Sequence, residues 1–355
     1  MKHNFGAGPC ILPQKVFNQA ADAVRDFNGL SLLEISHRSA DFVAVMEEAQ
    51  HLVKKALDVP DGYTVLFLQG GASLGFTITA LNMMRETGKA GYIDTGTWAK
   101  GAINGAKEVG IDVNVFASSE DKNFTYIPKN YSVPTGVDYI HYTSNNTIFG
   151  TQFKASIETT LPLVCDMSSD IFSKSVPVSE FDIIYAGAQK NLGPAGATLF
   201  IVKDELLGQS SSKFMPKYLN LKNHAEKGSM LNTPPVFSVY TAMLNLRDLI
   251  ERGGVEKAAL RNEEKAALLY NEIDENPLFK GTVVTEDRSL MNVTFLLNEE
   301  GLKEDFDTMW NNSGIIGLKG HRSVGGYRAS MYNALPLESV RVLTDVMKEF
   351  TRTKG

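Results

Sequence analysis

Residues 182–202 read DIIYAGAQKNLGPAGATLFIV. Two apolar runs, 182–186 and 197–202, flank a turn of small residues that presents one lysine, Lys190, ahead of Gly193-Pro194. Short runs rich in β-branched and aromatic residues, closed by Gly and Pro, read as strands. Outward from this stretch the pattern repeats: apolar runs at 64–68, 91–94, 113–116, 139–142 and 163–166 alternate with longer segments that suit helices. Ahead of them, Phe42, Val45, Met46, Ala49, Leu52, Val53, Ala56 and Leu57 keep the spacing of an amphipathic helix. Strands alternating with helices build a mainly parallel sheet covered on both faces. Ligands of such sheets bind beyond the carboxyl ends of the strands, so polar residues just after the runs are the place to search.

Near Gly253-Gly254 the pattern changes. A long helical stretch, 255–276, leads into 281–297, where apolar and polar residues alternate loosely as in antiparallel strands. Helical stretches around 303–311 and 336–353 follow, separated by a Gly-rich loop. The expectation is an α/β chain with a large domain, 12–254, around a mainly parallel seven-stranded sheet. A smaller α+β domain, 255–355, takes in the N-terminal segment 1–11.

Composition excludes several classes. The chain has 355 residues, 35 Lys+Arg against 41 Asp+Glu and a formal net charge of -6, which lacks the basic excess of a nucleic-acid surface. Any anionic substrate must then be held by locally clustered basic residues. The apolar runs fall far short of the roughly 18 residues that read as a membrane span, and the N-terminus lacks the apolar core of a signal peptide. Two cysteines, Cys10 and Cys165, are too few for a disulfide framework. A cytoplasmic protein with no metal site, nucleic-acid partner or membrane partner is expected.

Four features carry chemistry. Lys190 follows a strand end, and a desolvated lysine can form an imine with an aldehyde cofactor. Asp166 closes the run 163–166 and precedes Ser168 and Ser169; an acid there can pair with a protonated pyridine nitrogen, a recurrent part of pyridoxal-phosphate sites. Gln69-Gly70-Gly71-Ala72-Ser73 follows a strand and opens a helical segment, so its backbone N–H groups can approach a phosphate. Trp98 lies just past another run, where an indole can stack on an aromatic ring. Taken singly, each has an ordinary alternative: a solvated lysine, a capping aspartate, a tight turn, a core tryptophan. On the substrate side, Arg38 follows His37, Arg322 follows His321, and Arg328 lies in a Gly-rich loop. Guanidinium groups grip carboxylates and phosphates bidentately, although lone arginines are more often solvated charges.

The whole chain resembles the phosphoserine aminotransferases, fold-type-I pyridoxal-phosphate enzymes of the class V aminotransferases. The resemblance is carried in order by FGAGPCILP, ISHRS, QGGAS, VCDMSSD, YAGAQKNLGPAGATLFIV, NTPPVFSVY and KGHRSVGGYRASMYNA. It implies Lys190 as the cofactor-bound lysine and Asp166 as the partner of the pyridine nitrogen. It implies Trp98 stacked on the ring and Thr147 near the ring hydroxyl. The phosphate would be held by Ala72, Ser73 and Gln189, and by Asn232 and Thr233 of a neighbouring subunit, which makes a homodimer part of the site. His37, Arg38, His321, Arg322 and Arg328 would hold the carboxylate and phosphate of the substrates.

The implied reaction converts L-glutamate and 3-phosphohydroxypyruvate to 2-oxoglutarate and O-phospho-L-serine in serine biosynthesis. Use of the related four-carbon phosphorylated keto acid of vitamin B6 biosynthesis stays open. Gly6-Ala7 and Ser73 depart from members that carry serines or arginine there, which bears on substrate contacts and not on the lysine chemistry. The alternatives are another fold-type-I aminotransferase, such as an alanine–glyoxylate aminotransferase, or a non-catalytic cofactor-binding protein. A cysteine desulfurase is disfavoured because no cysteine follows Cys165.

Overall fold

The computed structural model describes residues 2–354. The chain opens with β1 (His3–Asn4), α1 (Gln14–Arg25) and α2 (Ala40–Leu57). It then alternates through β2 (Tyr63–Gln69), α3 (Gly71–Met83), β3 (Lys89–Asp94), α4 (Thr97–Glu108) and β4 (Asp112–Ser118). β5 (Tyr139–Thr143), β6 (Leu163–Asp166), β7 (Ile183–Gly187) and β8 (Ala197–Lys203) follow, then α5 (Leu221–Ala225) and α6 (Val236–Glu251). Each of the seven apolar runs forms a strand of one sheet, in the order β2-β8-β7-β6-β5-β3-β4.

Five neighbouring strands of this sheet, β7, β6, β5, β3 and β4, run parallel, whereas β8 is antiparallel to both β7 and β2. The reversal has a simple cause. Residues 188–196 are too short a connection for a parallel crossover, which takes about a dozen residues or more. The chain must therefore double back at the lysine turn. In consequence the carboxyl ends of β2, β3, β5, β6 and β7 share one edge with the amino end of β8.

Alternation along each strand divides the side chains between the two faces. On β6, Leu163 and Cys165 join a core with α2 and α6, while Val164 joins another with α3 and α4. Both faces are thus sealed over the inner strands, which is why these are almost continuously apolar, whereas no residue of the edge strand β4 is buried. α2 buries every position of its apolar stripe, and Ser39 caps it by accepting the N–H of Phe42.

Beyond α6, the chain forms α7 (Gly254–Glu275), β9 (Phe279–Gly281), β10 (Asn292–Leu297), α8 (Lys303–Asn312), β11 (Ile315–Ile316), β12 (Tyr327–Ser330) and α9 (Leu337–Lys354). β10 pairs antiparallel with both β9 and β12, and β1 pairs with β11. α7 serves two cores: Val255 and Ala258 pack with α2 and α6, whereas Ala266, Leu269, Tyr270 and Ile273 pack with β9, β10 and α9. Phe5, next to β1, is buried in that second core. Among the described residues, no helix is long and apolar enough to cross a membrane.

Candidate active site

The lysine turn is built by the backbone as it leaves β7. The N–H of Ala188 donates to Ala197 at 3.0 Å, and Gly193 N–H donates back to Ala188 at 2.7 Å, closing the loop on itself. The Asn245 side chain on α6 reaches the Leu192 carbonyl at 2.8 Å and holds the turn from outside. Lys190 is thereby folded inward and is only 8% exposed. Its Nζ donates to Thr147 Oγ1 at 2.9 Å and stands 5.2 Å from the centre of the Trp98 ring. Burial pushes the amine down to about 8; Asp166 works against that shift and Arg328 adds to it. A substantial neutral fraction at working pH makes this amine a competent nucleophile and proton acceptor.

Asp166 ends β6 and is 3% exposed. No helix follows it; its Oδ1 instead accepts the Ser168 N–H at 2.9 Å and the Ser168 hydroxyl at 2.5 Å. Ser168 Oγ in turn accepts the Gly187 N–H at 3.0 Å, which ties the acid to the strand that delivers the lysine. Burial raises the Asp166 pKa, opposed by Lys190 and then by the Ser168 contacts. A buried acid placed this way is suited to a cationic partner.

Beside the lysine turn lies the start of α3. Gly70, at φ 106°, makes the turn out of β2; a Cβ there would sit 2.4 Å from Leu74 Cδ2. No side chain caps the helix, so its first N–H groups remain available to an anion. A Cβ on Gly187 would lie 2.8 Å from Gln189 Oε1 and 3.4 Å from the Ala72 nitrogen, so Gln189 and Ala72 converge there. Ser73 is exposed on the first turn. The Thr233 carbonyl accepts Gln69 Nε2 at 2.7 Å and Asn232 Nδ2 at 3.0 Å, which brings the 232–233 loop to the end of β2 in the same chain.

Of the basic residues, Arg328 joins the cluster. It is half-buried on β12, its Nη1 donates to the Thr147 carbonyl at 3.4 Å, and its Nε has no hydrogen-bond partner among the described residues. The other four stand apart: among the described residues, no hydrogen bond or ion pair links them to Lys190, Thr147 or Asp166. His37 is buried and Arg38 exposed on the turn before α2, where the Arg38 N–H donates to Ser36 Oγ. His321 Nδ1 is 2.7 Å from Ser323 Oγ, and Arg322 is exposed.

Three neighbours of the cluster carry little or no sequence signal of their role in it. Ser168, which sequence shows only as following Asp166, is the acid's hydrogen-bond donor. Asn191 directs its amide to the Ile171 carbonyl at 2.6 Å. Cys10 directs its thiol to the Lys190 carbonyl. The Ser-Ser pair after an acid was the available signal for the first; nothing local marks the other two.

The arrangement supplies a buried amine of lowered pKa, a buried carboxylate, an indole over the amine, an open helix N-terminus and a half-buried guanidinium. The class-V aminotransferase family model matches residues 3–343. The chain is 60% identical to the phosphoserine aminotransferase of Flavobacterium psychrophilum over 351 residues, 98% of each chain. The structure resembles that of the phosphoserine aminotransferase from Bacillus circulans subsp. alkalophilus, with a TM-score of 0.96, 43% identity and coverage of 100% and 99% of the two chains. It also resembles the PLP-bound phosphoserine aminotransferase of Trichomonas vaginalis, with a TM-score of 0.93, 32% identity and coverage of 98% and 100%. The expected fold stands, and the agreement extends along nearly the full length of the chain: it belongs to the class-V aminotransferase family.

Proposed function

We propose that this chain transfers the amino group between L-glutamate and 3-phosphohydroxypyruvate, giving O-phospho-L-serine and 2-oxoglutarate, with pyridoxal 5′-phosphate as its cofactor. The observation that carries the reading is the Lys190 amine, buried, lowered to about 8 and held between Thr147 and Trp98 at the carboxyl edge of the sheet. The full-length likeness to phosphoserine aminotransferases supplies the substrate pair.

The residues present fit the cofactor. The Trp98 indole stands over the amine, the uncapped start of α3 with Ala72, Ser73 and Gln189 suits a phosphate, and the buried Asp166 carboxylate suits a protonated ring nitrogen. Thr147 would meet the ring hydroxyl, and Asn232 and Thr233 would reach the phosphate of a neighbouring subunit. When bound, pyridoxal phosphate supplies an aldehyde that carries the amino group and a ring that draws electrons from the substrate α-carbon.

The protein's own part is proton transfer and positioning. Lys190 removes the proton from the substrate α-carbon as a neutral amine in one half-reaction, and as the ammonium it returns one to the α-carbon in the other. Asp166 stays ionised beside a cation, aided by the two Ser168 donors. Arg328 grips the α-carboxylate, and His37, Arg38, His321 and Arg322 read the phosphate or the side-chain carboxylate of glutamate. The active unit is a homodimer in the cytoplasm, and each chain divides into a large domain, 12–254, and a small one, 255–355 with 1–11.

The cysteines do not favour sulfur transfer. Cys165 is fully buried within β6, and burial pushes the Cys10 thiol up to about 12. The test is a steady-state assay with glutamate as donor. Phosphohydroxypyruvate should be turned over far faster than glyoxylate or hydroxypyruvate; a preference for glyoxylate would overturn the substrate assignment.

A further inference from the structure

Asn333 has no part in the chemistry above, yet its backbone N–H and both ends of its side-chain amide tie together the elements that carry it. Its backbone N–H donates to Asn191 Oδ1 at 2.9 Å. Its side-chain Nδ2 donates to the Phe172 carbonyl at 2.8 Å, and its Oδ1 accepts Asn262 Nδ2 at 2.8 Å. Asn191 is the residue after Lys190, and Phe172 belongs to the loop that follows Asp166. Asn262 lies on α7, and Asn333 itself lies just past β12, the strand of Arg328. One residue therefore links the segments that hold the amine, the acid and the guanidinium, through the Asn191 side chain and the Phe172 carbonyl.

The link is specific to this geometry. Its contacts bridge 142, 161 and 71 residues of sequence, so none is a local turn. Phe172 adopts φ 61°, a conformation a phenylalanine rarely takes, in the loop whose carbonyl Asn333 captures. Asn262 also donates to the neighbouring Ser173 carbonyl at 3.1 Å, so α7 holds both the loop and Asn333.

We propose that Asn333 is a positioning residue that sets the separation of the Lys190 amine from the Arg328 guanidinium, and so places the substrate α-carbon under the amine. This rests on the reading of Lys190 as base and Arg328 as carboxylate grip. A misplacement of about 1 Å away from the reacting atoms can cost roughly a hundredfold in rate. The cost falls on the chemical step, since Arg328 still binds the carboxylate.

The test uses Asn333→Ala as cofactor-loaded enzyme with glutamate and phosphohydroxypyruvate. Turnover per loaded site should fall about tenfold or more, with KM for glutamate little changed and the visible absorbance of the loaded enzyme retained. Combined with Arg328→Lys, the loss should be less than the product of the single losses, because both disturb the same separation. Asn298→Ala removes a 2.7 Å bond to the Pro277 carbonyl at the far end of β10 and serves as control; it should lower stability without moving turnover per loaded site. If the alanine variant does not fold, Asn333→Ser is measured in its place. Wild-type turnover per loaded site, or strictly multiplicative losses, overturns the proposal. An Arg328→Ala enzyme of undiminished efficiency would instead overturn the reading beneath it, which the Asn333 measurements leave untouched.

Discussion

The Lys190 amine donates to the Thr147 hydroxyl across 2.9 Å, inside a pocket where burial lowers the amine to about 8 from 10.5. The neutral form is the nucleophile, so deprotonation as pH rises through that value switches the site on. The rate at which cofactor-free protein takes up pyridoxal phosphate should therefore be half-maximal near pH 8. Lys190→Ala should lose turnover and the visible absorbance of the loaded enzyme while keeping the fold. A midpoint near that of a free lysine would contradict the burial argument, and an active Lys190→Ala enzyme would end the mechanism.

Asp166 and Ser168 give a graded pair. Asp166→Ala leaves a ring nitrogen without its partner and should cost orders of magnitude in turnover, with the lysine-bound absorbance kept. Ser168→Ala removes one donor to the carboxylate and one acceptor for Gly187. Losing such a contact to a charged group costs about 1.5–3 kcal/mol, roughly ten- to a hundredfold in rate. The hydroxyl lowers the Asp166 pKa, so its removal raises it, and the acid limb of the pH–rate profile should move to higher pH. A limb that moves down, or stays, would show that Ser168 does not donate to the ionised acid.

How much of this was legible follows from what kind of signal each residue leaves. The inner strands are legible because both their faces are sealed and their runs are continuously apolar; the edge strand β4, with no buried residue, is marked only by its β-branched and aromatic residues. The reversal of β8 is implicit in the short span 188–196, which forbids a parallel crossover. Arg328 stands out by the glycines before it; it lies on β12 and not in a loop, and it does reach the Thr147 carbonyl. Asn262 and Lys265 left no signal. Both read as the polar face of α7, and both are 1% exposed because residues 331–333 pack over that face. Such burial depends on partners nearly seventy residues or more away and has no local pattern.

Lys265 supplies a stability prediction of its own. Its Nζ donates to the Met331 and Tyr332 carbonyls at 2.9 and 2.7 Å. Burial lowers its pKa from 10.5 to about 7, and Arg261 and Arg252 add to the shift. Between those values the unfolded chain binds more protons at this site than the folded one, so its contribution makes stability rise with pH. The cost of the buried ammonium is full below about pH 7 and gone above about pH 10.5. Lys265→Met should thus gain on the wild type at low pH and lose ground across that window, read as the difference in denaturant midpoint. A difference independent of pH would show that the amine titrates normally.

The 232–233 loop tests the assembly. Gln69 fixes the Thr233 carbonyl from within the same chain, and the proposed reading has the loop serve a neighbour's phosphate. Light scattering should show a dimer at working concentration. An Asn232→Ala/Thr233→Ala chain mixed with a Lys190→Ala chain should recover part of the activity, because one of the two shared sites is then intact. No recovery from mixed chains, with each confirmed dimeric, would place the loop at its own site.

Specificity separates the basic residues most sharply. A phosphorylated three-carbon keto acid presents a carboxylate and a phosphate several ångströms apart, so two cationic grips are needed. Arg328 is half-buried beside Thr147 and the Lys190 amine, whereas Arg322 is exposed and makes no contact with that cluster among the described residues. The nearer guanidinium suits the α-carboxylate, whose carbon must meet the amine; the outer one suits the group at the far end of the substrate. Losing one charge-assisted contact costs about 1.5–3 kcal/mol, roughly ten- to a hundredfold in kcat/KM. Arg322→Ala should therefore penalise phosphohydroxypyruvate far more than hydroxypyruvate, which lacks the phosphate. Arg328→Ala should penalise both by about the same factor, because both carry the α-carboxylate. Glutamate extends the comparison: its side-chain carboxylate takes the place of the phosphate, so Arg322→Ala should weaken glutamate more than alanine as donor. Equal penalties on the two keto acids in both variants would show that Arg322 does not read the phosphate, and the outer grip would have to be sought at His37 and Arg38.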